Sequence, residues 1–249
     1  ISNDLNITTV GNFRHDDIGA GGEGAPLTPI FHNKVFGSDK KRKAIVNIGG
    51  ITNITALNYP ELIGFDTGPG NCLMDCWSRI HNVGNYDDKG SWASTGTINQ
   101  PLLSEMMTDE YFSRKYPKST GPDYFNLGWI KKNLLRISQE IPIEDVQATL
   151  VQVTVVSLIE SLNSLNLSNE NIYLCGGGVH NEFLYSEINK LSKSKVGTTL
   201  DLGIDPDYVE AICFGWLAKQ RIENKSFNLS EITGSKGKVS LGRIYEPSK

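Results

Sequence analysis

Carboxylates beside glycine-rich segments are the first residues in this sequence that could do chemistry. Asp16 and Asp17 follow a β-like stretch at 8–13 and precede Gly19-Ala20-Gly21-Gly22-Glu23-Gly24. A carboxylate at a strand end, next to a loop that allows close approach, is well placed as a general base. The plainer alternative is a solvated acidic turn. Asp66 stands at the end of another apolar stretch, before Gly68-Pro69-Gly70. There it could hold Mg²⁺ through water or cap the turn. Glu210 falls one turn inside the final helical stretch, where a solvated face is usual. Arg14 and Lys118 could meet phosphate or sugar, although lone basic residues mostly face solvent.

The glycines differ in what they can do. Gly19 to Gly24 matches G-x-G-x-x-G, but Pro26 and Pro29 follow and no amphipathic period begins, so a helix N-terminus that meets a pyrophosphate is not expected. A flexible loop near a ligand remains open. In Asn47-Ile48-Gly49-Gly50-Ile51-Thr52-Asn53 a glycine tip precedes Thr52 and Asn53. Free backbone N–H groups and small polar side chains there can cradle phosphate oxygens, or the segment is an ordinary surface hairpin. The run from Leu174 through Gly176, Gly177 and Gly178 to His180 and Asn181 offers a strand, a bare loop and a helix start. Such backbone accepts a flat base or a phosphate, or simply turns the chain. No Gly-Lys-Ser/Thr follows, which excludes a Walker loop. His180 reads as a cap or packing residue.

Alternating β-branched runs and helical patterns position these residues and point to an α/β fold. Residues 43–57 read as strand, Gly-Gly turn and strand, with both glycines suited to positive φ. Residues 62–65 form a short strand, and a helix follows through Cys72, Cys76 and Ile80. Residues 84–126 have no clear reading beyond a loop at 118–122. The apolar run 144–162 suits a helix against a sheet. Residues 172–174 make a strand, and Asn181 caps a helix with Leu184, Ile188 and Leu191 on one face. Asp205 and Pro206 should open the last helix, striped by Val209, Ile212, Cys213 and Trp216.

Bulk properties narrow the partners. A net charge of −4 gives no basic footprint, which argues against nucleic acid. No apolar run approaches the roughly 18 residues of a bilayer span. Cys72, Cys76, Cys175 and Cys213 form neither a C-x-x-C pair nor a disulfide framework, which favours a reducing, cytoplasmic compartment. The start at Ile1 reads as an internal one.

Taken together, these segments resemble the anhydro-N-acetylmuramic acid kinases, members of the actin/hexokinase/heat-shock ATPase superfamily. The resemblance runs through residues 13–27, 47–55, 64–71, 117–121 and 174–181, then Glu210-Ala211 and Ile232-Thr233-Gly234. It implies an actin-like (ribonuclease H-like) α/β fold, a mixed sheet flanked by helices. The chain would be mostly the second lobe of a two-lobed sugar kinase, spanning 1–249, with the last helix and tail packing toward an absent first lobe. By the same resemblance Asp17 is the catalytic aspartate of a Phe-Arg-x-x-Asp pattern. Gly49, Gly50, Thr52 and Asn53 form a phosphate motif, and Gly176, Gly177, Gly178 and Asn181 an adenosine motif. Arg14, Glu210 and Asp66 would meet the sugar. ATP and Mg²⁺ are the implied cofactors and an anhydro amino sugar the partner, with no membrane and a homodimer left open. Nothing matches the family's other phosphate loop, so the chain alone is expected to be inactive. A non-catalytic binding lobe, or a kinase for another sugar, are the alternatives.

Overall fold

Residues 43–57 do form the hairpin that their β-branched runs demand. In the computed structural model, which describes residues 1–248, Lys43–Ile48 (β2) pairs antiparallel with Ile51–Leu57 (β3). The turn differs from expectation. The closing pair is Ile48–Thr52, three residues lie between, and neither glycine has positive φ. Gly49 instead folds its N–H back to the Ile51 carbonyl at 3.2 Å.

Ile63–Pro69 (β4) extends the meander, and Asn171–Cys175 (β5) and Val196–Thr198 (β6) add parallel to β2, giving the order β4-β3-β2-β5-β6. Asp66 is therefore inside a strand rather than at its end. The β3–β4 register shifts at Thr52/Asn53, pairing Thr52 with Gly68 and Asn53 with Asp66. Such a bulge re-aims side chains locally.

Both faces of the sheet are covered, which is why β2 reads as an apolar run and why even Thr52, Thr55, Asp66 and Thr67 of β3 and β4 are buried. On one face Ala44, Val46 and Ile48 pack with the helices Asn71–Ile80 (α4), Gln100–Met107 (α5), Leu127–Leu134 (α7), Ile143–Ser164 (α8) and Glu182–Leu191 (α9). The short Glu110–Ser113 (α6) also lies here. On the other face Ile45 and Leu57 meet Thr28–Phe36 (α3) and Val209–Ile222 (α10). The α8 helix is long and apolar enough to cross a bilayer, contrary to the sequence reading. Yet 78% of its apolar window is buried in the fold, the pattern of a core helix.

Two more helices depart from expectation. A helix does follow the first glycine run, because Pro29 suits a first turn, but six of its nine residues are buried, so no amphipathic stripe shows. The α10 helix begins at Val209 and not at Asp205, whose carboxylate instead accepts from the Asp207 N–H at 2.9 Å. Its buried stripe is Val209, Cys213 and Leu217, with Ile212 exposed. Leu191 at the end of α9 is exposed too.

The two ends of the chain meet. Thr9–Gly11 (β1) pairs with Arg243–Tyr245 (β9), flanked by Ser2–Leu5 (α1), while Phe227–Asn228 (β7) and Lys238–Val239 (β8) form a small ribbon.

Candidate active site

Asp17 sits on His15–Gly19 (α2), a one-turn helix, not at a strand end. Its carboxylate is fully buried. Oδ2 accepts from the Gly24 N–H at 2.7 Å, and Oδ1 accepts from the Thr233 hydroxyl at 2.6 Å. Gly22 is pressed against it, since a Cβ there would lie 2.3 Å from Oδ2. The glycine run is thus a tied strap rather than a flexible loop. Glu23 donates its N–H to the Thr233 carbonyl, Lys236 donates to Ala20, and Arg14 Nε donates to the Gly24 carbonyl at 3.0 Å.

Above this strap lies a cavity of about 280 Å³ that gathers Arg14, Gly49, Gly50, Asn53, Asp66 and Glu210. Side chains from the first loop, the hairpin, β4 and the start of α10 converge there. Asp66 is its buried acid, 4% exposed. Desolvation raises its pKa to about 6, against the pull of donors and of Arg14 and Lys118. The Ser119 hydroxyl and the Thr120 N–H both donate to Oδ2 at 3.0 Å, leaving Oδ1 free among the described residues. Tyr111 fixes the backbone by donating its hydroxyl to the Asp66 carbonyl at 2.7 Å. Ser119, Thr120 and Thr233 were visible only as members of the matched segments. No local signal marks them as holders of Asp66 and Asp17, because the contacts span 53, 54 and 216 residues.

Six candidates stay outside this cavity: Asp17, Thr52, Gly176, Gly177, Gly178 and Asn181. Asp17 is sealed beneath the strap, and Thr52 is buried with its hydroxyl donating to the Pro69 carbonyl. From the segment 176–181, Gly176 and Gly178 pack against Asn47 and Ile48, whereas Gly177 and Asn181 line a second, larger cavity of about 790 Å³ and face Asn71, Asp75 and Lys89. The hairpin tip separates the two, because Asn71 donates its N–H to the Gly49 carbonyl at 2.8 Å. Gly70 permits this approach, since a Cβ there would strike the Gly49 carbonyl at 2.3 Å.

The family description "Anhydro-N-acetylmuramic acid kinase" matches residues 1–247. The chain belongs to the anhydro-N-acetylmuramic acid kinase family. Relatives of that description are 44% identical over 243 residues in Coxiella burnetii and 43% identical over 246 residues in Pasteurella multocida. These alignments cover 96% and 98% of this chain but 65% of each relative, so the chain spans about two thirds of their length. Among solved structures, it is similar to an activator of 2-hydroxyisocaproyl-CoA dehydratase from Clostridium difficile with bound ADPNP (13% identity, TM-score 0.44, covering 81% of this chain and 69% of the other). It is also similar to (R)-2-hydroxyglutaryl-CoA dehydratase component A from Acidaminococcus fermentans (12%, TM-score 0.43, 75% and 64%).

The residues fit the groups that a kinase family implies. Gly177 has open space where a side chain would stand, on the wall of the larger cavity. The Gly50 amide has no acceptor within the described chain, so it can donate to an anion. No cluster of three acidic, His or Cys ligands occurs among the described residues. A hard cation would therefore lean on phosphate and water, with Asp66 as a carboxylate within reach of the cavity, which is how Mg²⁺ usually binds.

Proposed function

We propose that this chain is the larger part of an ATP-dependent kinase that opens the 1,6-anhydro bridge of anhydro-N-acetylmuramic acid while phosphorylating O6. The product would be N-acetylmuramic acid 6-phosphate, formed in the cytoplasm during murein recycling. The observation that carries this reading is the convergence of Arg14, Asp66, Glu210 and the hairpin tip on one cavity, in a chain of this family.

In the proposed chemistry a water oxygen bonds to C1 as the C1–O6 bond breaks, and O6 attacks the terminal phosphorus of ATP, whose bond to the bridging oxygen breaks as ADP leaves. One proton leaves the water. Asp17 is the acceptor of that proton in this scheme. Arg14 and the Gly50 amide favour negative charge as it builds on O6 and on the transferred group. Asp66 and Glu210 hold sugar hydroxyls, and Asn53 with the hairpin tip meets phosphate. Gly177 and Asn181 shape the seat of the nucleotide, and Mg²⁺ when bound would neutralise phosphate charge. Phosphoryl transfer is mostly positioning, which is why glycines and small polar groups dominate the list.

The enclosure of Asp17 favours a further statement: this chain alone binds ligands without turnover. The test uses the longer protein with ATP and the anhydro sugar in ¹⁸O-water. Label at C1 and none in the phosphate is expected, and label in the phosphate would refute water attack. Asp17→Asn should lower turnover by about 10² or more and leave nucleotide affinity unchanged. Unchanged turnover would remove Asp17 from the role. Calorimetry on the present chain completes the test, and measurable phosphorylation by it would refute the claim that it needs the rest.

A further inference from the structure

Consecutive residues of β4 point to opposite faces. Asp66 faces the cavity described above, whereas Phe65 and Thr67 line a separate one of about 520 Å³, a size typical of small-ligand sites. One wall is basic and comes from the segment after α6, with Arg114, Lys115 and Lys118. Lys118 is 7% exposed, and no carboxylate pairs with it among the described residues. Its ammonium donates to the carbonyls of Tyr111 at 3.2 Å and Phe112 at 3.5 Å, and it lies 4.6 Å from the centre of the Tyr111 ring. Capping those carbonyls satisfies part of the cation but supplies no counter-charge. Burial accordingly lowers its pKa to about 8.

The facing wall is α8, with Ser157, Glu160 and Ser161. Each of these serine hydroxyls already donates to its own helix, Ser157 to the Thr154 carbonyl at 3.1 Å and Ser161 to the Ser157 carbonyl at 2.8 Å. What they have left for a ligand is lone pairs, so this wall accepts hydrogen bonds and carries the negative charge of Glu160. Between the walls, the rings of Phe65 and Tyr116 stack at 5.3 Å and 11°.

We propose that this cavity binds a zwitterionic ligand of amino-acid to dipeptide size. Its carboxylate would meet Lys115 and Lys118, its ammonium Glu160 and the serine oxygens, and an apolar side chain the Phe65–Tyr116 rings. Arg114 is already paired with Glu110 at 2.5 Å, so the charges left for a ligand are those of Lys115 and Lys118 against Glu160, and a ligand carrying both signs is complementary to them. Nothing in this assignment depends on the phosphoryl-transfer reading.

The test is calorimetric titration of this chain with glycyl-L-phenylalanine, its N-acetylated form and its C-terminal amide. One saturable site is expected for the free dipeptide, with each blocked form weaker by about tenfold or more. Glu160→Gln should weaken the free dipeptide and leave the N-acetylated form unchanged, and Lys115→Ala should weaken the free dipeptide and spare the amide. Both replaced residues are exposed, so the fold is not at stake. Absence of saturable binding, equal binding of all three forms, or indifference to both substitutions would overturn the proposal.

Discussion

Two buried titratable side chains set opposite pH limits on this fold. Asp66 has its pKa raised from 3.8 to about 6 by burial. The unfolded chain therefore ionises this group first as pH rises, and stability falls through the window between those values. The shift corresponds to roughly 3 kcal/mol at most. Asp66→Asn keeps an acceptor for Ser119 and Thr120 but cannot ionise. Denaturant unfolding at about pH 4.5 and about pH 7.5 should show the variant gaining on the natural protein toward the higher pH. A pH-independent difference would mean that the carboxylate is not desolvated. His32 works the other way. It is fully buried between α3 and β3, with Nδ1 2.8 Å from the Thr55 hydroxyl, and burial lowers its pKa from 6.5 to about 3. The unfolded chain takes up the proton first as pH falls, so stability should drop by about 1.4 kcal/mol for each pH unit between 6.5 and about 3. His32→Gln should flatten that acid slope, which urea titrations across the range can measure.

At the scale of elements, the junction of β5 and α9 separates glycines that serve the fold from one that faces open space. Gly176 has φ +80°, and a Cβ on it would meet Asn47 Oδ1 at 2.5 Å. A Cβ on Gly178 would meet Ile48 Cγ2 at 2.3 Å. Both hold the loop against the end of β2, and Ala at either should cost roughly 1–3 kcal/mol. Gly177 differs, with nothing within 4 Å of its Cβ position and no positive φ. Gly177→Ala should unfold within about 0.5 kcal/mol of the natural protein. It should nonetheless weaken nucleotide binding by about tenfold, since the methyl enters the larger cavity. Thermal melts combined with nucleotide titration distinguish the three, and equal destabilisation by all would contradict the division.

For the whole molecule, the pairing of β1 with β9 ties the two ends of the described chain together, close in sequence to the one-turn helix α2 that carries Asp17. Phe13 packs on Phe214 at 5.3 Å, and a Cβ on Gly242 would meet the Phe13 ring at 2.8 Å. Deleting residues 243–249 should leave the five-stranded sheet intact and loosen β1. Hydrogen exchange would then lose protection at residues 9–11 and not at 43–57. The midpoint should fall by roughly 2–4 °C for each kcal/mol lost. Global loss of protection would show that the end pairing is integral to the core.

The sequence by itself determined the α/β class, the strand–turn–strand at 43–57, the core helix around 144–162, the Asn181 cap and the family's matched segments. These depend on periodicity, local turn chemistry and residue identity, all short-range properties. Only the tertiary structure decided which candidates meet. It placed Asp66 inside a strand and inside a cavity, held by residues more than fifty positions away. It enclosed Asp17 with a hydroxyl from 216 residues along the chain, and it divided the glycine loops between two cavities. Residues 84–126 lacked a readable period because α5 and α6 there are short and capped singly by Asn99 and Asp109. Burial, desolvation and side-chain convergence depend on what folds over a residue, and no window along the chain contains that information.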